Sequence, residues 1–508
     1  MKEQNQNSGF ILKKTIGFYL GLVTFLIIFF LPTPEDMTSK SKMVGAVALL
    51  MAIWWIFESL PLAATSLIPL IAFPLMGIMT SKKTASAYSD HNVMLFMGGF
   101  FIAMAIQKWG LHKRIALHII KIIGTEPKKL ILGFMVASAF LSMWISNTAT
   151  TLMMLPIAYS VALHFERPER SKDAKSSLIF KKFSTALMLG IAYACSIGGI
   201  GTLVGTPPNI VFAGSIKRLF PQYQEIGFLQ WMSFGLPFVI IFLPLCWFYL
   251  TFVVFKLKDV ESLSQSDSRS ALKEEIRKLG DMSRGERITL IFFCLTAFLW
   301  ISRVPIDLGF IYIPGWSLLF PEPKYIHDST VAMLMAVSMF AVPVNLKKGE
   351  FLLDWNWAKK IPWGILLLFG GGFALAGGIQ ESGLAKWIGE NMEFLSQVPP
   401  IVMISSICFI MTFLTELTSN TAMTTIMMPI LASSAVNIGI HPYYMMIPAT
   451  ISASCAFMLP VATPPNAIVM GSGYIKINQM AKAGFGLNLI GVLLVTLVSY
   501  MLIGLIFI

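Results

Sequence analysis

Apolar runs long enough for a bilayer core of about 30 Å recur from one end of the chain to the other. The first four fall at about residues 15–31, 43–59, 61–79 and 93–109, separated by Pro32-Thr33-Pro34, by Pro61 and by the polar stretch 81–92. Residues 110–124 then set Lys113, Arg114 and Lys121 among Leu111, Ile115, Leu117 and Ile119, a pattern that predicts a helix lying in the membrane interface. Residues 130–145 and 150–163 are apolar arms too short to cross, joined at polar residues 146–148, and such a pair predicts a re-entrant hairpin. The apolar stretch 183–215 is interrupted by Gly198-Gly199, Gly201, Gly205 and Pro207-Pro208, which predicts a broken span whose freed backbone groups line a cavity.

Beyond it, spans are expected at 228–255, 288–301, 331–342 and 361–380, with a solvated loop up to residue 287. A second interfacial helix (384–395), a second hairpin (arms 400–414 and 424–438), a second broken span (443–470) and a last span (484–508) close the series. The expectation is an all-α polytopic membrane protein of about eleven spans and two re-entrant hairpins.

The second half repeats the first. Ser146-Asn147-Thr148-Ala149 returns as Ser419-Asn420-Thr421-Ala422, and the same offset of 273 pairs Ser142 with Thr415, Thr151 with Thr424 and Pro156-Ile157 with Pro429-Ile430. It also pairs Gly98-Gly99-Phe100 with Gly371-Gly372-Phe373, glycines that suit close helix packing. Thr206-Pro207-Pro208-Asn209 returns as Thr463-Pro464-Pro465-Asn466 at an offset of 257, so the first copy holds 16 extra residues, placed in the charged stretch 164–182. An odd number of spans between the copies makes them inverted repeats, the architecture of secondary transporters.

Charge orients the chain. The net charge of +12 would suggest nucleic acid in a soluble protein, but with the N-terminus in the cytoplasm 29 of the 38 Lys and Arg fall on the cytoplasmic side, so the excess is topology. No nucleic-acid partner is expected, and the C-terminus is expected outside. Cys195, Cys246, Cys294, Cys408 and Cys455 lie in apolar runs without paired spacing and are expected as small core residues. The six histidines are scattered and no two have metal-ligand spacing. Gly199-Ile200-Gly201 with Gly205 does not fit a dinucleotide loop, and no nucleophile with its base, nor a metal cluster, stands out at membrane depth, so no enzyme and no organic cofactor are expected.

Ser, Asn and Thr at the two tips offer neutral donors and acceptors, and the helix starts beside them favour an anion. Neither tip nor either Thr-Pro-Pro-Asn break contains Lys, Arg or His. Two equivalent tips facing each other suit a ligand with two similar ends, a dicarboxylate being the simplest. Oxygen shells suitable for sodium are expected from Ser142, Ser146, Asn147 and the backbone near Gly205, and from Thr415, Thr418, Asn420 and the backbone near Ala462. Glu58 and Glu416 are the only acids deep in apolar stretches. For Glu416 a hydrogen bond to a hairpin or helix-end amide is the stronger expectation, and proton carriage the weaker.

The doubled Ser-Asn-Thr, each followed by a Thr-Pro-Pro-Asn-like break, resembles the divalent anion/sodium symporter family, in particular its bacterial dicarboxylate transporters. The resemblance implies a homodimer in which a scaffold (1–127 and 288–397) carries a transport domain (128–256 and 398–508) that moves like an elevator, with 257–287 as a cytoplasmic loop. It implies substrate contacts at Asn147, Thr148, Thr206 and the adjoining Pro207, and at Asn420, Thr421, Thr463 and Pro464. It implies sodium sites on the two oxygen sets just named, Thr418 standing where the family often has a small residue. The function expected is sodium-coupled carriage of C4-type dicarboxylates across the cytoplasmic membrane. The same motifs also fit a dicarboxylate exchanger and, more remotely, a tricarboxylate or sulfate carrier.

Overall fold

In a computed structural model that describes residues 2–165, 174–257, 265–307, 311–391 and 397–508, the first apolar run is one helix, Lys2–Phe30. It packs along Ser39–Phe57, with Phe18 stacked on Trp54 at 5.3 Å, yet only 11% of its apolar window is buried, so most of that face is left for lipid or another chain. Ser39–Phe57 starts where the Thr38 side chain accepts from the Ser41 amide (3.0 Å) and stops at Glu58, whose φ of 51° ends the helix. Glu58 is therefore exposed at a helix end, not deep in the apolar stretch.

The repeat is visible in the bounds of the helices. Leu111–Ile123 and Leu384–Glu390 each begin after a left-handed glycine, Gly110 (φ 73°) or Gly383 (φ 81°), that turns the chain out of the preceding span. Where the two hairpins are expected stand the helix pairs Pro127–Ser142 with Asn147–Phe165 and Pro400–Thr415 with Asn420–Ile438, related residue for residue by the offset of 273. Each first arm opens on a proline at its first helical position, where the missing N–H costs nothing. Each broken span divides likewise, into Ala174–Gly199 and Pro207–Leu219 and into Tyr443–Ala453 and Pro464–Met470. The two halves interlock through these pieces: Pro207–Leu219 packs on Asn420–Ile438, and Pro464–Met470 packs on Asn147–Phe165. Gly98 lies against Ala332, where a Cβ would come within 2.7 Å of the alanine methyl, and Gly371 lies against the Ser66 backbone, so this glycine pair serves close packing.

Several expectations are corrected. The span expected at 61–79 is two short helices, Leu62–Thr65 and Ile68–Leu75, because Pro61, Pro69 and Pro74 withdraw amide donors from a continuous ladder. The loop before residue 287 contains a helix, Gln265–Leu279, docked on Asn147–Phe165 and Leu111–Ile123, with Leu272 buried. Two small antiparallel ribbons, Ile306–Asp307 with Tyr312–Ile313 and Pro343–Asn345 with Glu350–Phe351, interrupt the all-α pattern. Cys294 is exposed on an apolar helix, whereas the other four cysteines are buried. Parts of the expected charged loop (166–173) and of the second interfacial helix (392–396) lie outside the described residues.

Eight helices among the described residues are long and apolar enough to cross a bilayer, and one of them is Asn420–Ile438, which corrects the expectation of a hairpin arm too short to cross. Four long-range ion pairs among the described residues join segments that the expected crossings put on one side. Lys108 meets Asp354 (2.7 Å) and Arg114 meets Glu286 (2.8 Å) on the basic side, while Arg218 meets Asp90 (2.8 Å) and Lys83 meets Glu381 on the other. Burial pushes the Asp354 and Glu286 carboxyls up, but bonds from Lys108 and Arg114 outweigh it and hold both below their ordinary range. On the second side two helix starts and a loop bring His91, His327 and Glu225 together, a cluster of two histidines that sequence spacing does not show.

Candidate functional site

Each tip is built on the asparagine of its Ser-Asn-Thr. The Ser142 hydroxyl donates to Asn147 Oδ1, and the Thr415 hydroxyl donates to Asn420 Oδ1 at 2.6 Å. These bonds close the four-residue turn between the arms and fix which face of the amide looks outward. The turn's own serine caps the second arm in both copies, Ser146 Oγ accepting from Ala149 N (3.3 Å) and Ser419 Oγ from Ala422 N (3.4 Å). One turn on, Thr151 and Thr424 donate to the backbone carbonyls of Asn147 and Asn420, both at 2.8 Å. The amides of two 19-residue helices therefore start at the tips and favour negative charge there.

The breaks stand beside the tips. Gly199 and Gly205 approach so closely that a Cβ on Gly205 would strike the Gly199 carbonyl, and one on Gly199 would sit 2.8 Å from Asn147 Oδ1. The first oxygen set, Ser142, Asn147 and the Gly205 backbone, is thus gathered in one place, with Ser146 at the turn. In the second copy Thr415 bonds Asn420 and also the Ala453 carbonyl (3.1 Å), which joins the tip to the end of Tyr443–Ala453. Thr418 donates its hydroxyl to Leu414 O (3.0 Å) on its own arm, and Ala462 is buried in the second break.

Thr206 (φ −143°, ψ 143°) and Thr463 (φ −140°, ψ 148°) hold the same extended conformation before their prolines. Thr463 caps its helix by accepting from Asn466 N (3.3 Å), while the Thr206 side chain makes no cap bond. Pro207 is half-buried and Pro464 exposed; Thr148 is half-buried and Thr421 buried.

Two residues missed by the sequence reading hold the breaks together. Asn209 Nδ2 donates to Gly199 O (3.2 Å) and Thr202 O (2.7 Å), and Asn466 Nδ2 to the matching Ala456 O (3.2 Å) and Leu459 O (3.1 Å). The signal was their place in the duplicated Thr-Pro-Pro-Asn. Both leave Oδ1 buried and without a hydrogen-bond partner among the described residues, at a cost of about 1–3 kcal/mol each unless something else meets it. Glu416 is the third hub. Its carboxylate accepts from the amides of Phe457 (2.7 Å), Met458 (2.8 Å) and Leu459 (3.0 Å) and from Asn488 Nδ2 (2.8 Å). With four donors pointed at it, the carboxylate serves the break as an acceptor, the stronger of the two sequence expectations.

A family model described as the sodium:sulfate symporter transmembrane region matches residues 12–507. The chain belongs to that symporter family. Among relatives of this chain, the sodium-dependent dicarboxylate transporter SdcS of Staphylococcus saprophyticus is 40% identical over 98% of the chain and 93% of its own length. The protein of the same name from Staphylococcus aureus is 41% identical over 96% of the chain and 90% of its own. These relatives are transporters, not enzymes. Two solved structures share the chain's fold at low identity. They are MtrF of Neisseria gonorrhoeae (TM-score 0.56, 13% identical, covering 97% of this chain and 94% of that one) and the YdaH transporter of Alcanivorax borkumensis (0.56, 12%, 90% and 98%).

Proposed function

We propose that this symporter carries C4-type dicarboxylates such as succinate, malate and fumarate across the cytoplasmic membrane, driven by sodium. The observation that carries the reading is the matched pair of neutral tips, Ser142–Asn147 and Thr415–Asn420, each set against a broken span with no Lys, Arg or His in either motif. The names of the staphylococcal relatives support the substrate class and the coupling ion.

In this reading one carboxylate is held at each end, by Asn147, Thr148, Thr206 and Pro207 and by Asn420, Thr421, Thr463 and Pro464. Without fixed cations in the motifs, the acid's charge is met by helix-start amides, hydroxyls and sodium. Sodium occupies the oxygen sets of Ser142, Ser146, Asn147 and Gly205, and of Thr415, Thr418, Asn420 and Ala462. Because Asn147 and Asn420 belong to both lists, ion and acid order the same side chain, and binding of one favours the other. Residues 128–256 and 398–508 move as the transport domain against a scaffold of 1–127 and 288–397, in a homodimer with the N-terminus in the cytoplasm and the C-terminus outside.

The test is uptake of labelled succinate into proteoliposomes. Empty vesicles fill under an inward sodium gradient if the reading holds. Filling only after preloading with dicarboxylate would make the chain an exchanger, and displacement of succinate by citrate or sulfate would move the substrate class.

A further inference from the structure

His91 opens the helix His91–Lys108, His327 precedes Asp328–Ala341, and Glu225 lies in the loop between Pro207–Leu219 and Phe228–Phe248. One ligand atom from each lies within 4.8 Å of the other two, and all three residues are half-buried. The two imidazoles meet edge to face at 4.2 Å. Between them the Glu225 carboxylate lies 3.8 Å from His91 Nε2 and 3.5 Å from His327 Nε2. Two histidines and one glutamate are a complete protein set for a zinc-type ion with water in the fourth place, and ligand distances of about 2.0–2.2 Å would draw them inward by about 1 Å.

The surroundings leave this set free to take a cation. Arg218 is neutralised by Asp90 (2.8 Å) and Arg303 by Asp328 (2.5 Å), so the two guanidiniums beside the cluster are already paired. Lys217, 4.0 Å from Glu225 and bonded to Pro221 O and Tyr223 O, is the cation an incoming metal would displace. His327 caps Asp328–Ala341, its Nδ1 accepting from the Ser329 amide at 3.1 Å. Its Nδ1 also lies 3.1 Å from the Ser329 hydroxyl, so a metal taken up at Nε2 shifts the ring proton to Nδ1, which then donates to that hydroxyl in place of the cap. On His91, Nε2 lies 3.0 Å from Asn92 Nδ2, and Asn92 has a second acceptor in Asp90 Oδ1 (3.1 Å) when a metal takes that lone pair.

We infer that His91, His327 and Glu225 form a site for a divalent ion of the zinc class, and that the bound ion ties the loop carrying Glu225 to the starts of His91–Lys108 and Asp328–Ala341. Under the elevator reading above, on which this second part rests, the loop belongs to the moving domain and both helices to the fixed one. Bound metal then arrests transport. The site lies on the side opposite the basic loops, outside the cell in the proposed orientation.

The experiment has two readouts. Purified metal-free protein is titrated with zinc against a chromophoric chelator, and with cobalt, whose absorption reports a tetrahedral site. One equivalent should bind tightly, and His91→Gln, His327→Ala and Glu225→Gln should each weaken it by more than the roughly 10- to 100-fold that loss of an outer-sphere partner costs. Failure of the unaltered protein to bind, or equal binding by all three variants, overturns the site. Because His327→Ala also removes a helix cap, the other two variants decide if it misfolds. In proteoliposomes, zinc supplied in turn to each side should stop succinate uptake from one side only, and Glu225→Gln should keep its uptake in zinc. Uptake indifferent to zinc, with binding intact, overturns the tie. Binding is read without transport, so the metal site and the transport reading fail separately.

Discussion

The two hairpin-and-break units share their helix bounds and their motif geometry, yet they hold their breaks by opposite means. The first relies on the absence of side chains: Gly199 and Gly205 bring two backbones and Asn147 into contact, Thr202 donates to Met143 O (2.5 Å), and Trp231 donates to Ile200 O (2.9 Å). The second has Ala456 and Ala462 where the first has those glycines, and it gathers three successive amides onto the Glu416 carboxylate. Where Glu416 stands, the first copy has Met143, contributing only a carbonyl. What both copies keep is the Ser/Thr-to-Asn bond at the tip and the Asn clamp on the break. The contrast teaches that the tip and clamp are what the two copies hold constant, while the support behind them needs only to satisfy the freed backbone groups by some route.

The largest break in the comparison should come at the shared element. Asn147→Ala or Asn420→Ala removes the acceptor of the turn-closing bond and a contact proposed for both acid and ion. Either should abolish succinate uptake in proteoliposomes while the protein still folds as a dimer by size-exclusion chromatography. Normal flux in both variants would take the tips out of the mechanism.

Gly199→Ala comes next, because it tests a support present in one copy alone. A methyl 2.8 Å from Asn147 Oδ1 must push the amide or the turn aside, at the roughly 1–3 kcal/mol typical of overpacking. The displacement falls on the proposed first sodium set, so the sodium concentration for half-maximal uptake should rise more than that for succinate. The reverse exchange, Ala456→Gly, removes a buried methyl from the other copy without moving Asn420, and should leave both nearly unchanged. Equal effects at the two positions would mean that the glycines do not distinguish the copies.

Much of this contrast could be read in the chain. The constant offset placed both helix pairs within a few residues and picked out the turns between them, since duplication keeps helix starts, caps and prolines in register. The support was hidden because it depends on long-range partners: Glu416 meets amides some forty residues on, and Asn488 further still. Hydropathy also read through Pro69 and Pro74, since a broken apolar run scores like a continuous one. It passed over Gln265–Leu279, whose stability comes from docking, with Leu272 buried, and not from an apolar face of span length. His91 and His327 stand at separate helix starts, and no spacing rule connects residues that only the fold brings into contact.

Glu416→Gln gives the smallest expected loss and the sharpest reading of the second support. Glutamine keeps one acceptor oxygen for Phe457, Met458 and Asn488, but its amide nitrogen then faces the Leu459 amide, donor against donor. One buried N–H is left unpaired, a cost of about 1–3 kcal/mol that should appear as a lower unfolding temperature in detergent. Uptake should fall only in part and keep its dependence on sodium, because the tip and the Asn466 clamp remain. If Glu416 instead carried a proton, the variant would unfold at the original temperature while uptake lost its response to an imposed pH gradient. A carboxylate surrounded by four donors favours the first outcome, since protonating it would turn one acceptor oxygen into a competing donor.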